Sequence, residues 1–248
     1  MKAKDHTNLP RCCPWLAKLD DGDLQRVQRD LQLRTFEAGD VVCARGRPTQ
    51  HWIGVFSGLL LVRGDAEHAV PGTPAVAPGG WLGDESLVRR EALSADVVAL
   101  RNSHLAMLPG ETYLWLRERS LSFNRMLLAR LEQRMRHCVQ QVHSGRAGGA
   151  DERVAQTLVG LFDPVLHPAV GQTLRVTQEE LAGICGLSRQ RVNQALQRLA
   201  ALGTIRLRYG SVELAEEAAL RGFVAPGSAA GSQPPFAAPT DGSEQHWA

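Results

Sequence analysis

The apolar positions of this chain change rhythm along its length. In the last third they fall at helical spacing. From Thr177 to Leu202 they describe two helices joined by a short turn. Leu181 and Ile184 stripe the first helix, and Val192, Leu196 and Leu199, at spacings of four and three, stripe the second. Thr177, followed three residues on by Glu180, has the form of a capping box. Gly186 stands where a left-handed residue stops a helix, and Ser188 is the next N-cap. Thr204 to Arg208 then alternates apolar with basic, Tyr209-Gly210 predicts a turn, and Val212 to Leu214 alternates again. That is a small hairpin directly behind the second helix, a wing.

The first half reads differently. Residues 1 to 14 carry no clear period and are expected to be a disordered tail. Trp15 to Gln32 has helical spacing through Leu16, Leu19, Leu24, Val27 and Leu31, interrupted by an Asp20–Asp23 turn. Short apolar runs punctuated by Gly follow: Val41-Val42, Trp52 to Phe56, Leu59 to Val62, Val97 to Leu100 and His104 to Leu108. Such runs predict a β-sandwich or barrel. Asp65 to Pro78 fits least well, because Pro71, Pro74 and Pro78 cannot sit in central strands.

Thr112 to His143 lacks Pro and Gly and predicts one long helix. Leu121, Leu128, Met135 and Val142 recur every seven residues, with Asn124, Leu131 and Cys138 at the matching second position. This is a two-stranded seam in which a polar Asn124 sets register. Phe123 and Leu127 lie off the seam and suit packing on the β region, so both faces are expected to be used. SGRAGGA, Ser144 to Ala150, predicts a hinge, and Asp151 to Phe162 a further helix. Residues 223 to 248, rich in Ala, Gly, Ser and Pro, are expected to be a second disordered tail.

Charge sharpens the picture only locally. The 248 residues carry a formal net charge of +2 and 44% hydrophobic content, so the chain is no polycation and has material for one or two cores. Yet Arg175, Arg189, Arg191, Arg198, Arg206 and Arg208 cluster around the two helices and the wing, the footprint of phosphate binding. The second helix turns Arg189, Gln190, Asn193, Gln194 and Gln197 away from its apolar stripe. Arg pairs with guanine and Asn or Gln with adenine in the major groove; a solvated surface is the plain alternative. The expected DNA-binding set is Arg189, Gln190, Arg191, Asn193 and Gln194 on this helix, Thr177 and Ser188 at the caps, and Arg206 and Arg208 on the wing.

Other classes find little support. No apolar run reaches membrane-spanning length, and MKAKDHTNLP lacks a signal-peptide core, so a cytoplasmic protein is expected, with no membrane partner. The five cysteines are scattered and do not suggest a disulfide framework. No catalytic triad order, metal-ligand spacing or phosphate-cradling loop is present, and PGGWLG is too short to count; neither an enzyme nor a metal site is expected.

A β region, a long seam helix, a hinge and a winged helix-turn-helix, in that order, resemble the Crp/Fnr family of bacterial transcription regulators. The resemblance covers roughly residues 15 to 220. It is strongest in RVTQEELAGICGLSRQRVNQALQRLAALGTI and in the series EAGDVV, FSGLL and PGGWLGDESL. It implies an α+β chain: a β-roll sensor of jelly-roll type (double-stranded β-helix) at 15–111, a dimerisation helix at 112–143 and a winged helix-turn-helix at 144–222. It further implies a homodimer on a two-fold symmetric double-stranded DNA site, with RNA polymerase as a partner and a seam of Leu121, Asn124, Leu128, Leu131, Met135, Cys138 and Val142. The family's base-reading positions map onto Arg189, Gln190 and Gln194. Members that read the best-known sites carry Glu and Arg at the second and third, so a different target is expected here. The same departure motivates the alternative of a ligand- or protein-interaction module with a degenerate helix-turn-helix.

The resemblance also marks an effector region. Members that bind cyclic AMP use Gly-Glu for the ribose and Arg-Ser for the phosphate. Here Gly83 is followed by Asp84 and Glu85, but the phosphate position reads Leu93-Ser94-Ala95. Arg89 and Arg90 lie in the same loop as substitutes. The adenine-contacting pair on the long helix aligns with Cys138-Val139. These departures count against a cyclic nucleotide and leave the effector unknown, with Gly83, Asp84, Glu85, Ser94 and Cys138 as candidate contacts. Cys12-Cys13 and Cys43 do not make the four-thiolate set of an iron–sulfur cluster. His51, His104 and His137 are candidate haem ligands only as isolated residues, and Cys138 near a two-fold axis admits a crosslink between subunits.

Overall fold

A computed structural model describes residues 12–64, 75–144 and 149–224. The N-terminal tail to residue 11, residues 65–74 of the Pro-rich stretch, residues 145–148 of the expected hinge and the C-terminal tail from residue 225 lie outside the described residues.

The chain enters through a 3-10 turn, Pro14–Lys18, and helix α1, Asp21–Asp30. The Asp-rich run does not interrupt a helix but starts one, since the Asp20 carboxylate accepts from the Asp23 amide at 2.8 Å. Cys12 and Cys13, assigned from sequence to the tail, are buried. They pack beside Trp15, Trp52 and Trp81, and apolar contact outweighs the expected disorder there.

Strands β1 (Gln32–Phe36), β2 (Val41–Cys43), β3 (His51–Ser57), β4 (Leu60–Arg63), β5 (Ala75–Val76) and β6 (Trp81–Leu82) follow. After helix α2 (Asp84–Arg89) come β7 (Asp96–Ala99) and β8 (Ser103–Pro109). They form two antiparallel four-stranded sheets, ordered β1-β8-β3-β6 and β2-β7-β4-β5, the expected β-roll. Ile53, Val55, Leu60, Val97, Leu105 and Met107 fill the space between the sheets. The alternate residues of β3 face outward onto helices, where Trp52 stacks on Trp81 with centroids 4.1 Å apart. Gly54 makes that stack possible, because a Cβ there would lie 2.6 Å from the Trp81 ring.

The expected single helix from Thr112 to His143 is two helices, α3 (Gly110–Arg119) and α4 (Leu121–Ser144). The break is at Ser120, whose backbone is extended. Asn124 caps the end of α3 by donating to the carbonyls of Arg117 (2.7 Å) and Ser120 (3.1 Å). The Nδ2 of Asn124 is thus committed to carbonyls of its own chain.

Beyond residue 148 lie α5 (Ala150–Leu161), β9 (Thr173–Arg175), α6 (Gln178–Cys185), α7 (Arg189–Ala201), β10 (Ile205–Arg208), β11 (Ser211–Leu214) and α8 (Glu217–Val224). The wing is a three-stranded sheet, β10-β11-β9, one strand more than expected. Phe223 and Val224, assigned from sequence to the tail, close α8, with Val224 buried under the domain. One apolar cluster joins Leu59, Ala75 and Ala77 of the roll to Leu158, Leu181 and Leu196 of this domain, so the helix-turn-helix unit is docked on its own roll.

Candidate nucleic-acid interface and effector cavity

The helix-turn-helix is built from local signals that are all present. Thr177 Oγ1 accepts from the Glu180 amide at 3.2 Å, and Glu180 Oε2 accepts from the Thr177 amide at 2.7 Å, a complete capping box. Gly186 ends α6 at φ +60°, a conformation strained for any residue with a Cβ. Ser188 Oγ accepts from the Arg191 amide at 3.3 Å and starts α7. Val192, Ala195, Leu196 and Leu199 are buried beneath α7.

The opposite face of α7 is open. Arg189, Gln190, Arg191 and Gln194 are exposed, as are Arg206 and Arg208 on the wing and Arg175 on β9. Asn193 differs: it is half-buried, and its side-chain oxygen accepts from Gln178 Nε2 at 2.9 Å. Through this bond it braces the two helices. Arg198, counted in the basic cluster, pairs with Asp151 at 2.6 Å and adds little net charge. Tyr209 at the wing tip is fully exposed. Thr177 and Ser188 serve as caps and are themselves exposed at the edge of this face.

The seam residues Leu121, Leu128, Leu131, Met135 and Val142 form an exposed apolar stripe on α4, each between 56% and 72% accessible. The reverse face carries Phe123, Arg130, Gln133 and His137, all buried. Here α4 is tied to the DNA-binding half. Asp163, after α5, accepts from Gln133 Nε2 and lies 3.1 Å from His137 Nε2. It also accepts from the amides of Val165 (2.9 Å) and Leu166 (3.1 Å). Burial disfavours the Asp163 carboxylate, but these bonds outweigh it and bring its pKa down to about 2.

Between α2, the inner strands and α4 opens a cavity of about 290 Å³. Gly83, Asp84, Glu85, Ser94 and Cys138, expected from sequence to touch an effector, all line it. Cys138 thus lines this cavity from the edge of the stripe. Arg89 and Arg90 do not line it; Arg89 is 62% exposed and pairs with Glu91. The cations of the cavity are Arg130 and Arg134 of α4, which sequence reasoning missed. Two arginines one helical turn apart read as solvated surface, and only the loops folded over them take them out of water. Arg134 binds Asp84 through both terminal nitrogens. Arg130 is fully buried and donates to the carbonyls of Trp81, Val165 and Leu166.

Two family profiles match the chain: the Crp-like helix-turn-helix domain over residues 152–223 and the cyclic nucleotide-binding domain over residues 33–120. The Cyclic AMP receptor protein of Thermus thermophilus is 33% identical over 145 residues, 58% of this chain and 65% of that relative. The chain thus spans just under two thirds of that protein. The Transcriptional regulator SdrP of the same organism is 27% identical over 187 residues, 73% of this chain and 88% of that one. A solved Crp/Fnr-family regulator from Thermus thermophilus, 26% identical, covers 78% of this chain and 98% of itself, with a TM-score of 0.51. The chain belongs to the Crp/Fnr family.

Helix-turn-helix regulators of the Crp type bind DNA and act as dimers. In this Crp/Fnr chain the caps, turn and wing are intact, so nothing in the geometry favours a degenerate helix-turn-helix. Among the described residues no helix is long and apolar enough to cross a membrane. No group of three or more His, Cys, Asp or Glu is placed to hold a metal among them, and the cysteines form no disulfide. Of the haem candidates, His137 is engaged with Asp163 and His104 with Thr35 Oγ1 at 3.1 Å.

Proposed function

We propose that this DNA-binding transcription regulator of the Crp/Fnr type works as a homodimer joined along α4, reading a two-fold symmetric site with one α7 from each subunit. The open face of α7 carries the reading: Arg189, Gln190 and Gln194 point away from the core and make base-edge contacts in the major groove. Arg191, Arg206, Arg208, Thr177 and Ser188 contact phosphates, which position the helix and supply salt-dependent affinity. The apolar stripe Leu121, Leu128, Leu131, Met135 and Val142 supports the pairing, because a soluble chain seldom leaves such a stripe in water. Two recognition helices must then lie about 34 Å apart to enter successive grooves. Control by a signal bound in the roll, action through RNA polymerase and a cytoplasmic location complete the reading.

A salt titration of binding to promoter DNA from its own genome tests it. Log affinity should fall steeply and linearly with log salt. A slope near zero contradicts phosphate-based binding.

A further inference from the structure

The cavity beside α2 lies in a domain of cyclic nucleotide-binding type, yet its charges are arranged for something else. The loop from Arg89 to Ala95 brings no cation into it, because Leu93, Ser94 and Ala95 line the wall and Arg89 faces water. Both guanidiniums come from the opposite side, on α4. Arg130 makes its described hydrogen bonds to neutral carbonyls. Arg134 holds Asp84, but its Nε is buried with no hydrogen-bond partner among the described residues. Glu85 is exposed at the mouth, and the nearby Asp163 is already engaged by His137 and Gln133. Among the described residues the cavity thus sets the buried Arg130 and the half-buried Arg134 against Asp84 inside and Glu85 at the mouth. Burial, and after it the neighbouring Arg134, bring Arg130 down to about 10, against the pull of Asp84 and Asp163. Much of the remaining wall is apolar, Val62, Val76, Leu82, Leu93, Val97 and Leu166, with Ser86, Ser94 and His167 as its polar points.

We propose that the cavity binds a small organic carboxylate with an apolar body, its carboxylate gripped by Arg134 in exchange for Asp84, with Arg130 behind it. This deepens the reading of the roll as a sensor and rests on it. A planar carboxylate matches the guanidinium fork through two charge-assisted hydrogen bonds, and the apolar body takes the wall that a ribose would leave unsatisfied. At about 290 Å³ the cavity sits at the small end of ligand sites. The occupant touches α4 at Arg134 and Cys138, next to Met135 and Leu131 of the stripe, so binding bears directly on how two subunits pair.

The test uses the full chain, with benzoate and hexanoate as carboxylate probes, benzamide as the uncharged control and cyclic AMP as the phosphate arm. Thermal shift and calorimetry read binding. Either carboxylate should raise the melting point and benzamide should not. Arg134→Gln should weaken carboxylate binding roughly tenfold or more, while Asp84→Asn, which removes the internal competitor, should tighten it. Stabilisation by cyclic AMP but by neither carboxylate overturns the proposal. So does a carboxylate response that Arg134→Gln leaves unchanged, or no response to either carboxylate at millimolar concentration. DNA affinity is measured separately on the same samples. Loss of the ligand response with DNA binding intact sinks only this inference, whereas ligand binding without DNA binding sinks only the regulator reading.

Discussion

Arg101, in the loop between β7 and β8, holds Glu180 of α6 with both prongs of its guanidinium, Nε to Oε1 at 2.7 Å and Nη2 to Oε2 at 2.5 Å. The same carboxylate closes the capping box of the helix-turn-helix. One glutamate thus starts the helix that precedes the recognition helix and fastens the DNA-binding domain to the roll. The side chains are 30% and 13% exposed, so the pair is neither fully wet nor fully dry.

A double-mutant cycle with Arg101→Gln and Glu180→Gln measures that fastening. Glu180→Gln retains a side chain that can cap, so the cycle isolates the bridge between domains. Discounted for partial solvation, a coupling of about 1–2 kcal/mol is expected in unfolding experiments. A coupling within error of zero reduces the contact to an ordinary surface pair.

The stripe on α4 predicts an assembly defect. Leu128→Asp or Met135→Asp places a charge on the exposed apolar face proposed to meet a second subunit. Sedimentation should then shift from dimer toward monomer, and DNA affinity should drop with it. Circular dichroism should stay close to that of the parent, because both side chains are already exposed within one subunit. A variant that stays dimeric places the interface elsewhere.

Base reading and phosphate binding should separate by substitution. Arg189→Ala or Gln194→Ala is expected to cost about 1–3 kcal/mol at the preferred site and to relax discrimination at one base pair of each half-site. Arg206→Ala should weaken all sequences alike and reduce the salt slope by about one for each phosphate it no longer neutralises. Competition against scrambled DNA measures both.

His167 predicts a dependence on pH. It is buried, its Nδ1 lies 3.0 Å from the Gly160 carbonyl, and burial together with Arg130 lowers its pKa from 6.5 to about 4. Its folded pKa lies below the unfolded one, so between those values the unfolded chain binds the extra proton. Stability is therefore complete above about pH 6.5 and declines as pH falls toward 4. Asp163, lowered to about 2, adds its own loss only below the ordinary carboxylate range. His167→Gln should flatten the melting-point profile between pH 6.5 and 4.

What could be read from the sequence was whatever local chemistry determines. Thr177 with Glu180, Gly186 and Ser188 are capping residues whose partners lie within a turn, so both helices and the wing behind them were legible. The exposed apolar stripe on α4 was legible because a seven-residue apolar repeat keeps one face of a helix whatever the tertiary arrangement. The break at Ser120 was not, since no Pro or Gly marks it and it depends on Asn124 reaching back to Arg117 and Ser120. Cys12 and Cys13 read as tail because most of the cluster that buries them, Trp52, Trp81 and Phe123 included, is distant in sequence. Arg130 and Arg134 were invisible for the same reason: charge in sequence implies water, and only the fold over α4 removes it. Asn193 looked like a base reader by type, and its bond to Gln178 could not be seen before the two helices were packed.

Selection of bound fragments from a random pool of double-stranded DNA, followed by sequencing, tests the central claim most directly. The paired α7 helices predict an enriched motif with two-fold symmetry, its half-sites centred one helical turn apart, about 10 to 10.5 base pairs. Enrichment of a single unpaired half-site, or of no motif at all, would contradict a dimer that reads DNA through Arg189, Gln190 and Gln194.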